Sequence, residues 1–225
     1  MTSNRLDIYK DVHKGVRKAL FDLAALAGST EFHSAESLQK LKDEFSRTYN
    51  LLETHAHSED TYVESMVQAC DASTASELST THVRLEANIR SLQQMLANIN
   101  PNQADAVSQG RELYLGLTRF IGEYLQHIAD EEQRVMPLLW AKYDDQQLMD
   151  VSITIRANIP PPVMGNFLSC MIPAMNHGER VEMLSGMKQA APAEVFMGVC
   201  KLSESVLSSG DWQKLNQSVN QVVPA

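Results

Sequence analysis

The sequence predicts an all-α protein, built as an antiparallel four-helix bundle with a C-terminal helical extension. Apolar residues recur at helical spacing along most of the 225 residues, and no alternating β-branched run is bounded by turn signals. Four long helical stretches follow one another through short connections, which is typical of an antiparallel bundle. We expect residues 1–143 to form the bundle and residues 144–225 to form the extension.

The bundle helices end at residues that commonly stop helices. The first is expected to end near Gly28, since glycine is frequent just after a helix. The third is expected to end before Pro101, because proline disfavours helical geometry in the residue that precedes it. The four helices are expected to cover about residues 5–26, 35–70, 76–99 and 103–143.

The extension begins with a short helix and then a rigid break. Three consecutive prolines, Pro160, Pro161 and Pro162, separate this helix from the rest of the chain. The extension helices are expected to cover about residues 145–157, 163–176, 178–189, 192–208 and 212–219.

The charge distribution argues against a nucleic-acid partner. The net charge is −9, whereas binding to phosphates requires a basic face. Residues 1–150 contain 14 Lys and Arg against 23 Asp and Glu, and residues 151–225 contain five of each kind. The excess acidity therefore lies in the predicted bundle, where a cation site with carboxylate ligands would place it.

We expect no membrane segment and a cytoplasmic location. The apolar stretch from Phe167 to Met175 is too short to span a bilayer and contains Pro173. The N-terminal stretch MTSNRLDIYK lacks the basic and then apolar run of a signal peptide. The three cysteines are widely spaced and outside any CxxC motif, which favours reduced thiols in the core.

The motif His-x-x-x-Glu occurs three times, each time inside a different predicted bundle helix. Residues four apart lie on one helical face, so each pair offers an imidazole and a carboxylate to the same region. The remaining bundle helix contributes a histidine at a comparable depth. These candidate metal ligands are His13, His55, Glu59, His82, Glu86, His127 and Glu131.

Seven such ligands are too many for one ion, whereas two ions bridged by two carboxylates use them and keep room for an external ligand. Antiparallel helices bring interior side chains to a common level, which is how metal sites form in bundle cores. Mixed imidazole and carboxylate ligands favour iron or manganese over structural zinc, which prefers four ligands rich in sulfur or nitrogen.

This pattern resembles the hemerythrin-like (HHE cation-binding) family over about residues 5–143. The resemblance implies a non-haem diiron centre with an oxo or hydroxo bridge, and manganese stays an alternative metal. It implies that His13 and His55 are terminal ligands of one iron. It implies that His82, Glu86 and His127 are terminal ligands of the other iron. Glu59 and Glu131 are then the carboxylates that bridge the two irons.

Glu86 departs from the oxygen-carrying members of that family, which have a third histidine there. An anionic ligand is expected to favour ferric iron and to shorten the lifetime of the oxygen-bound form. The ferritin-like pattern Glu-x-x-His on two helices is absent from the sequence.

The other histidines and two tyrosines have less specific interpretations. His57 lies about 200° around the helix from His55, so it is expected at the surface. His33 and His177 lie in predicted connections and are expected to be structural or exposed. Tyr9 and Tyr124 precede ligand histidines on nearly the same helical faces, so they are either core residues or phenols that reach the metal cavity.

Three functions remain open from the sequence. The first is binding or sensing of dioxygen, peroxide or nitric oxide, which the extension favours because simple gas storage does not require it. The second is a catalase-like or peroxidase-like diiron enzyme acting on peroxide, which Glu86 favours because carboxylate-rich centres activate oxygen. The third is iron handling, in which the metal mainly stabilises the fold. A homo-oligomer formed through the extension is a further option.

Overall fold

Every regular element of this computed structural model, which describes residues 5–221, is helical. The all-α prediction is therefore confirmed for this part of the chain. Residues 1–4 and 222–225 lie outside the described part. The first four belong to the stretch MTSNRLDIYK, whose composition argued against a signal peptide. The α-helices are α1 (Lys10–Ser29), α2 (Ala35–Tyr62), α3 (Glu64–Cys70), α4 (Ala72–Asn98), α5 (Ala106–Asp130), α6 (Met136–Lys142), α7 (Asp145–Asn158), α8 (Pro161–Ala174), α9 (His177–Ala190), α10 (Ala193–Val206) and α11 (Ser209–Gln221).

The long helices α1, α2, α4 and α5 are those predicted for the bundle. The ring of His33, in the connection after α1, has its Nδ1 2.9 Å from the carbonyl oxygen of Pro101, in the connection after α4. These two connections therefore lie at one end of the bundle. Because α2 leaves this end and α4 arrives at it, the two helices run in opposite directions.

Side-chain caps determine where two of these helices begin. The hydroxyl of Ser34 accepts a hydrogen bond from the Ser37 N–H, and α2 starts at the next residue, as predicted. The Asp71 carboxylate accepts one from the Thr74 N–H, so α4 begins at Ala72 rather than near residue 76. At Val63, between α2 and α3, the backbone N–H still bonds to the Glu59 carbonyl. The predicted single helix over residues 35–70 is thus nearly continuous.

A π-helical turn, Glu131–Val135, interrupts the predicted helix over residues 103–143. Its wider ring is closed by the Met136 N–H, which donates to the Glu131 carbonyl five residues earlier. The turn ends two residues before Pro137, which has no N–H and whose ring clashes in an α-helix with the carbonyl four residues earlier. Widening the helix here accommodates the proline without ending the helix.

An apolar cluster closes the other end of the bundle. It joins Tyr9, the junction of α2 and α3, the start of α4, the π-helical turn, α6 and α7. We call it the apolar cap. Its fully or almost fully buried members are Tyr9, Val63, Val67, Ala75, Val135, Met136, Leu139 and Leu148. Burial of this many large side chains provides the hydrophobic stabilisation that holds these short segments together.

The N-terminal segment is bound to this region by polar contacts. The Arg5 guanidinium donates to Asp145 at 2.5 Å and to the Tyr143 carbonyl at 2.7 Å. The Trp140 indole N–H donates to the Leu6 carbonyl at 2.7 Å. These contacts fix the chain just before Tyr9 and so help to place the start of α1.

The chain folds as two compact units. Within the described residues, one unit contains residues 5–10 and 19–159, and the other contains residues 11–18 and 160–221. Compactness alone does not define independently folding domains, so the domain boundary between residues 143 and 144 stays a prediction. Among the described helices, none combines the length and the apolar composition that a membrane span requires.

The second unit has an apolar core of its own, drawn from α8 to α11. Within this unit the Lys14 ammonium lies 2.5 Å from the Glu179 carboxylate. A side-chain carbon at Gly15 would lie 2.7 Å from Cγ of Met171, so only glycine permits this close approach. The core residues are Leu168, Ile172, Leu184, Val199, Leu215 and Val219.

Candidate metal centre

The structure brings six of the seven predicted ligands together as buried side chains in two groups. The first group is His13, His55, Glu59 and Glu131, and the second is Glu59, His82, His127 and Glu131. In each group, one ligand atom from every residue lies within 4.8 Å of the others. Glu59 and Glu131 belong to both groups, and we call them the shared carboxylates.

The two oxygens of Glu59 face different groups. Oε1 lies 3.4 Å from Nε2 of His55, and Oε2 lies 3.6 Å from Nε2 of His82. At the start of the π-helical turn, Oε1 of Glu131 lies 3.3 Å from Nε2 of His127 and 3.7 Å from Nε2 of His82. A carboxylate with one oxygen toward each of two donor sets has the orientation required of a bridge between two cations.

His82 is held on both sides of its ring. Its Nδ1 lies 2.6 Å from Oδ1 of Asp60, and its Nε2 lies 3.0 Å from Nε2 of His127. Burial lowers the pKa of His82, but hydrogen bonding to Asp60 and Glu131 and the nearby carboxylate charges outweigh it, and the pKa rises to about 10. Without a cation, a protonated His82 therefore compensates part of the buried negative charge.

Two buried phenols lie near the shared carboxylates. Burial raises the pKa of Tyr9 well above its usual value, and the charges of Glu131 and Glu59 raise it further. Burial and the same two charges raise the pKa of Tyr124. The Tyr124 ring also meets the His127 ring edge-on, with centroids 5.7 Å apart. Both phenols stay neutral at physiological pH and retain a hydroxyl proton that they can donate.

Glu86 lies outside both groups, unlike the other six candidate ligands. Its side chain is 48% exposed and forms an ion pair with Arg90, one helical turn further along α4. The interior face of α4 continues instead through Leu85 and Ile89, at heptad spacing from His82. Helical phase thus turns Glu86 outward even though it lies four residues after a ligand. Its assignment as an iron ligand stays a prediction without support from its position.

The remaining histidines lie away from the two groups. His57 is exposed on α2. His33 contacts the Pro101 carbonyl, as described above, and Nε2 of His177 lies 3.2 Å from the Ser218 hydroxyl. These positions agree with the surface and structural interpretations given to them.

The donor set fits a pair of hard or intermediate cations. It consists of four imidazoles and two carboxylates, and thiols are absent from both groups. Imidazole with carboxylate suits iron and manganese, whereas structural zinc sites prefer four closed ligands rich in sulfur or nitrogen. The burial of Glu59 and Glu131, which are 7% and 1% exposed, also favours cation binding, because buried carboxylates need charge compensation.

Sequence reasoning missed Asp60. It directly follows Glu59, but its contact with His82 joins two helices through residues 22 positions apart. No local spacing rule marks such a contact, and the sequence carried no signal that distinguishes Asp60 from other exposed acidic residues of α2.

Comparison with known proteins agrees with this geometry. Over 187 residues the chain is 25% identical to a zinc finger protein of Arabidopsis thaliana named BRUTUS-like; the match covers 81% of this chain and 15% of that protein. No solved structure matches the chain significantly. The family model of the hemerythrin HHE cation-binding domain matches residues 4–139, which is more than half of the chain. The chain therefore belongs to the hemerythrin HHE cation-binding domain family, whose domain binds metal cations, typically iron.

Proposed function

We propose that this protein holds two iron ions and uses them to bind or sense dioxygen, peroxide or nitric oxide. The observation that carries the proposal is that both groups contain the shared carboxylates, while their histidines differ. His13 and His55 would serve one ion, and His82 and His127 would serve the other. Iron bound in this way supplies open coordination positions and can exchange electrons with a small oxygen-derived ligand.

The protein's own residues favour a small ligand. Each group offers four protein donors, two of them shared, which leaves room on each ion for an external molecule. The site residues are almost completely buried, and the apolar cap covers this end of the bundle, which favours a small ligand over a bulky substrate. The phenols of Tyr9 and Tyr124 keep their protons and are influenced by the charges of the shared carboxylates, which supports a role as hydrogen-bond donors to a bound oxygen species.

A peroxide-consuming enzyme is the second candidate, and the two phenols favour it. A neutral phenol can hold a proton close to the reacting oxygen and release it when the oxygen becomes basic. The earlier support from Glu86 does not carry over, because that side chain lies outside both groups. The same donors also suit manganese, so metal analysis is part of the test.

The test is the metal content of the protein purified from its own host, followed by rapid mixing. We expect about two irons per chain, as in two-metal sites with bridging carboxylates. The anaerobically reduced protein should change its absorption spectrum when mixed with dioxygen, peroxide or nitric oxide. Rapid oxygen evolution from peroxide would favour the enzyme over the sensor. Protein that contains neither iron nor manganese and does not take up either metal would overturn the proposal.

A further inference from the structure

We propose that Asp60 is a positioning residue that orients His82 for metal binding, an inference that rests on the proposed two-iron function. Its carboxylate on α2 lies 2.6 Å from Nδ1 of His82 on α4. Asp60 does not itself belong to either ligand group. Its role would be to fix the ring and leave the other nitrogen for the metal.

The chemistry of the pair determines which nitrogen is available. An ionised carboxylate only accepts hydrogen bonds, so the proton of the 2.6 Å contact belongs to Nδ1. The hydrogen bond to Asp60 holds the single ring proton of a neutral His82 on Nδ1. Nε2 then carries the free lone pair that can bind a metal. Nε2 lies 3.6 Å from Glu59 and 3.7 Å from Glu131, so the lone pair faces the shared carboxylates.

Two consecutive residues of α2 contact opposite sides of the His82 ring. Glu59 approaches Nε2 through Oε2, and Asp60 approaches Nδ1 through Oδ1. Asp60 cannot chelate the same ion, because it contacts the opposite side of the imidazole. The side chain of Asp60 is 45% exposed and that of His82 is 8% exposed, so the hydrogen bond runs from the protein surface to the buried site. Carboxylate partners of this kind orient metal-bound histidines and raise their basicity.

Asp130 provides a matched control. It adjoins the other shared carboxylate, Glu131, as Asp60 adjoins Glu59, and it is partly exposed. Its Oδ1 accepts a hydrogen bond from Gln126 at 3.0 Å. Changes at Asp130 therefore remove an acidic residue next to a shared carboxylate without removing a contact to His82.

The experiment compares Asp60→Ala, Asp60→Asn and Asp130→Ala in the full-length protein. Anaerobic titration with Fe²⁺ should show one of two binding events weakened about 10–100-fold in Asp60→Ala, the usual cost of losing such a partner. Asp60→Asn keeps an accepting oxygen and should recover part of this affinity. Asp130→Ala should bind Fe²⁺ like the unmodified protein.

A spectroscopic measurement separates positioning from general stability. In the zinc-loaded, ¹⁵N-labelled protein, His82 should show a slowly exchanging, downfield Nδ1 proton, assigned by its loss in His82→Gln. This signal should disappear in Asp60→Ala and persist in Asp130→Ala. Unchanged Fe²⁺ affinity and an unchanged His82 signal in Asp60→Ala would overturn the positioning role while leaving the two-iron proposal intact. Failure of the unmodified protein to bind Fe²⁺ would overturn the two-iron proposal and the positioning role with it.

Discussion

Removing one shared carboxylate should abolish binding of both ions, whereas removing one histidine should abolish only one. This contrast follows from the geometry, because Glu59 belongs to both ligand groups while His55 and His82 each belong to one. We therefore expect about two irons per chain in the unmodified protein, about one in His55→Ala or His82→Ala, and fewer than one in Glu59→Ala.

The same contrast should appear in thermal stability. An ion present at about 100 times its dissociation constant stabilises the folded state by about 2.7 kcal/mol. For a chain of this size, about 1 kcal/mol shifts the melting temperature by about 2–4 °C. Each bound ion should therefore raise Tm by about 5–10 °C. The shift on adding Fe²⁺ should be roughly halved in His55→Ala and nearly absent in Glu59→Ala.

The measurements are metal analysis after anaerobic loading and calorimetry with and without Fe²⁺. His57→Ala is the control, since His57 is an exposed histidine of the same helix, and it should match the unmodified protein. Glu86→Ala should also match it, because Glu86 pairs with Arg90 outside both groups. Equal iron loss in Glu59→Ala and His57→Ala would refute the shared-carboxylate geometry. Loss of one ion in Glu86→Ala would instead restore Glu86 as a ligand.

Two further changes test the surroundings of the site and the packing of the bundle. Tyr124→Phe should leave the iron content unchanged but weaken azide binding about tenfold, since a hydrogen bond to a charged group contributes about 1.5 kcal/mol. Azide affinity is measured by optical titration, and equal affinities would show that the phenol only fills space. Gly110→Ala should lower Tm, because its Cβ would overlap the Phe32 ring and overpacking costs about 1–3 kcal/mol, more than the helix propensity gained. Gly122→Ala, in the same helix with open space around it, should leave Tm unchanged or raise it, and the reverse order in calorimetry would contradict the packing argument.

The fold was predictable where helix signals are local. Ser34 lies one residue before α2, as the predicted start required, and Pro101 follows α4 closely. The predicted start of α4 near residue 76 is too late, because Asp71 is the N-cap and the helix begins at Ala72. Aspartate is common both in turns and at helix N-caps, so the sequence does not separate the two roles. The hydrogen bond from the Thr74 N–H to the Asp71 carboxylate identifies the N-cap.

The site was predictable to the extent that it depends on spacing within one helix. The pairs His55–Glu59 and His127–Glu131 both turn inward, as positions four apart can. Glu86 does not, and its exposure could have been inferred from the apolar residues at heptad spacing from His82, which define the interior face of α4. Contacts between helices, such as Asp60 with His82, depend on the register of α2 against α4, which no local pattern contains.

The π-helical turn has a consequence for how this chain is compared with its relatives. Such a turn holds one residue more than the α-helical path it replaces, and each residue of an α-helix turns the following side chain by about 100°. Residues after Val135 consequently point in directions that an uninterrupted helix of the same sequence would not give them. An ungapped alignment with a relative that lacks this turn would pair Leu139, which belongs to the apolar cap, with a residue on a different face. Aligning this chain with a relative of that kind therefore requires a one-residue gap between Glu131 and Pro137.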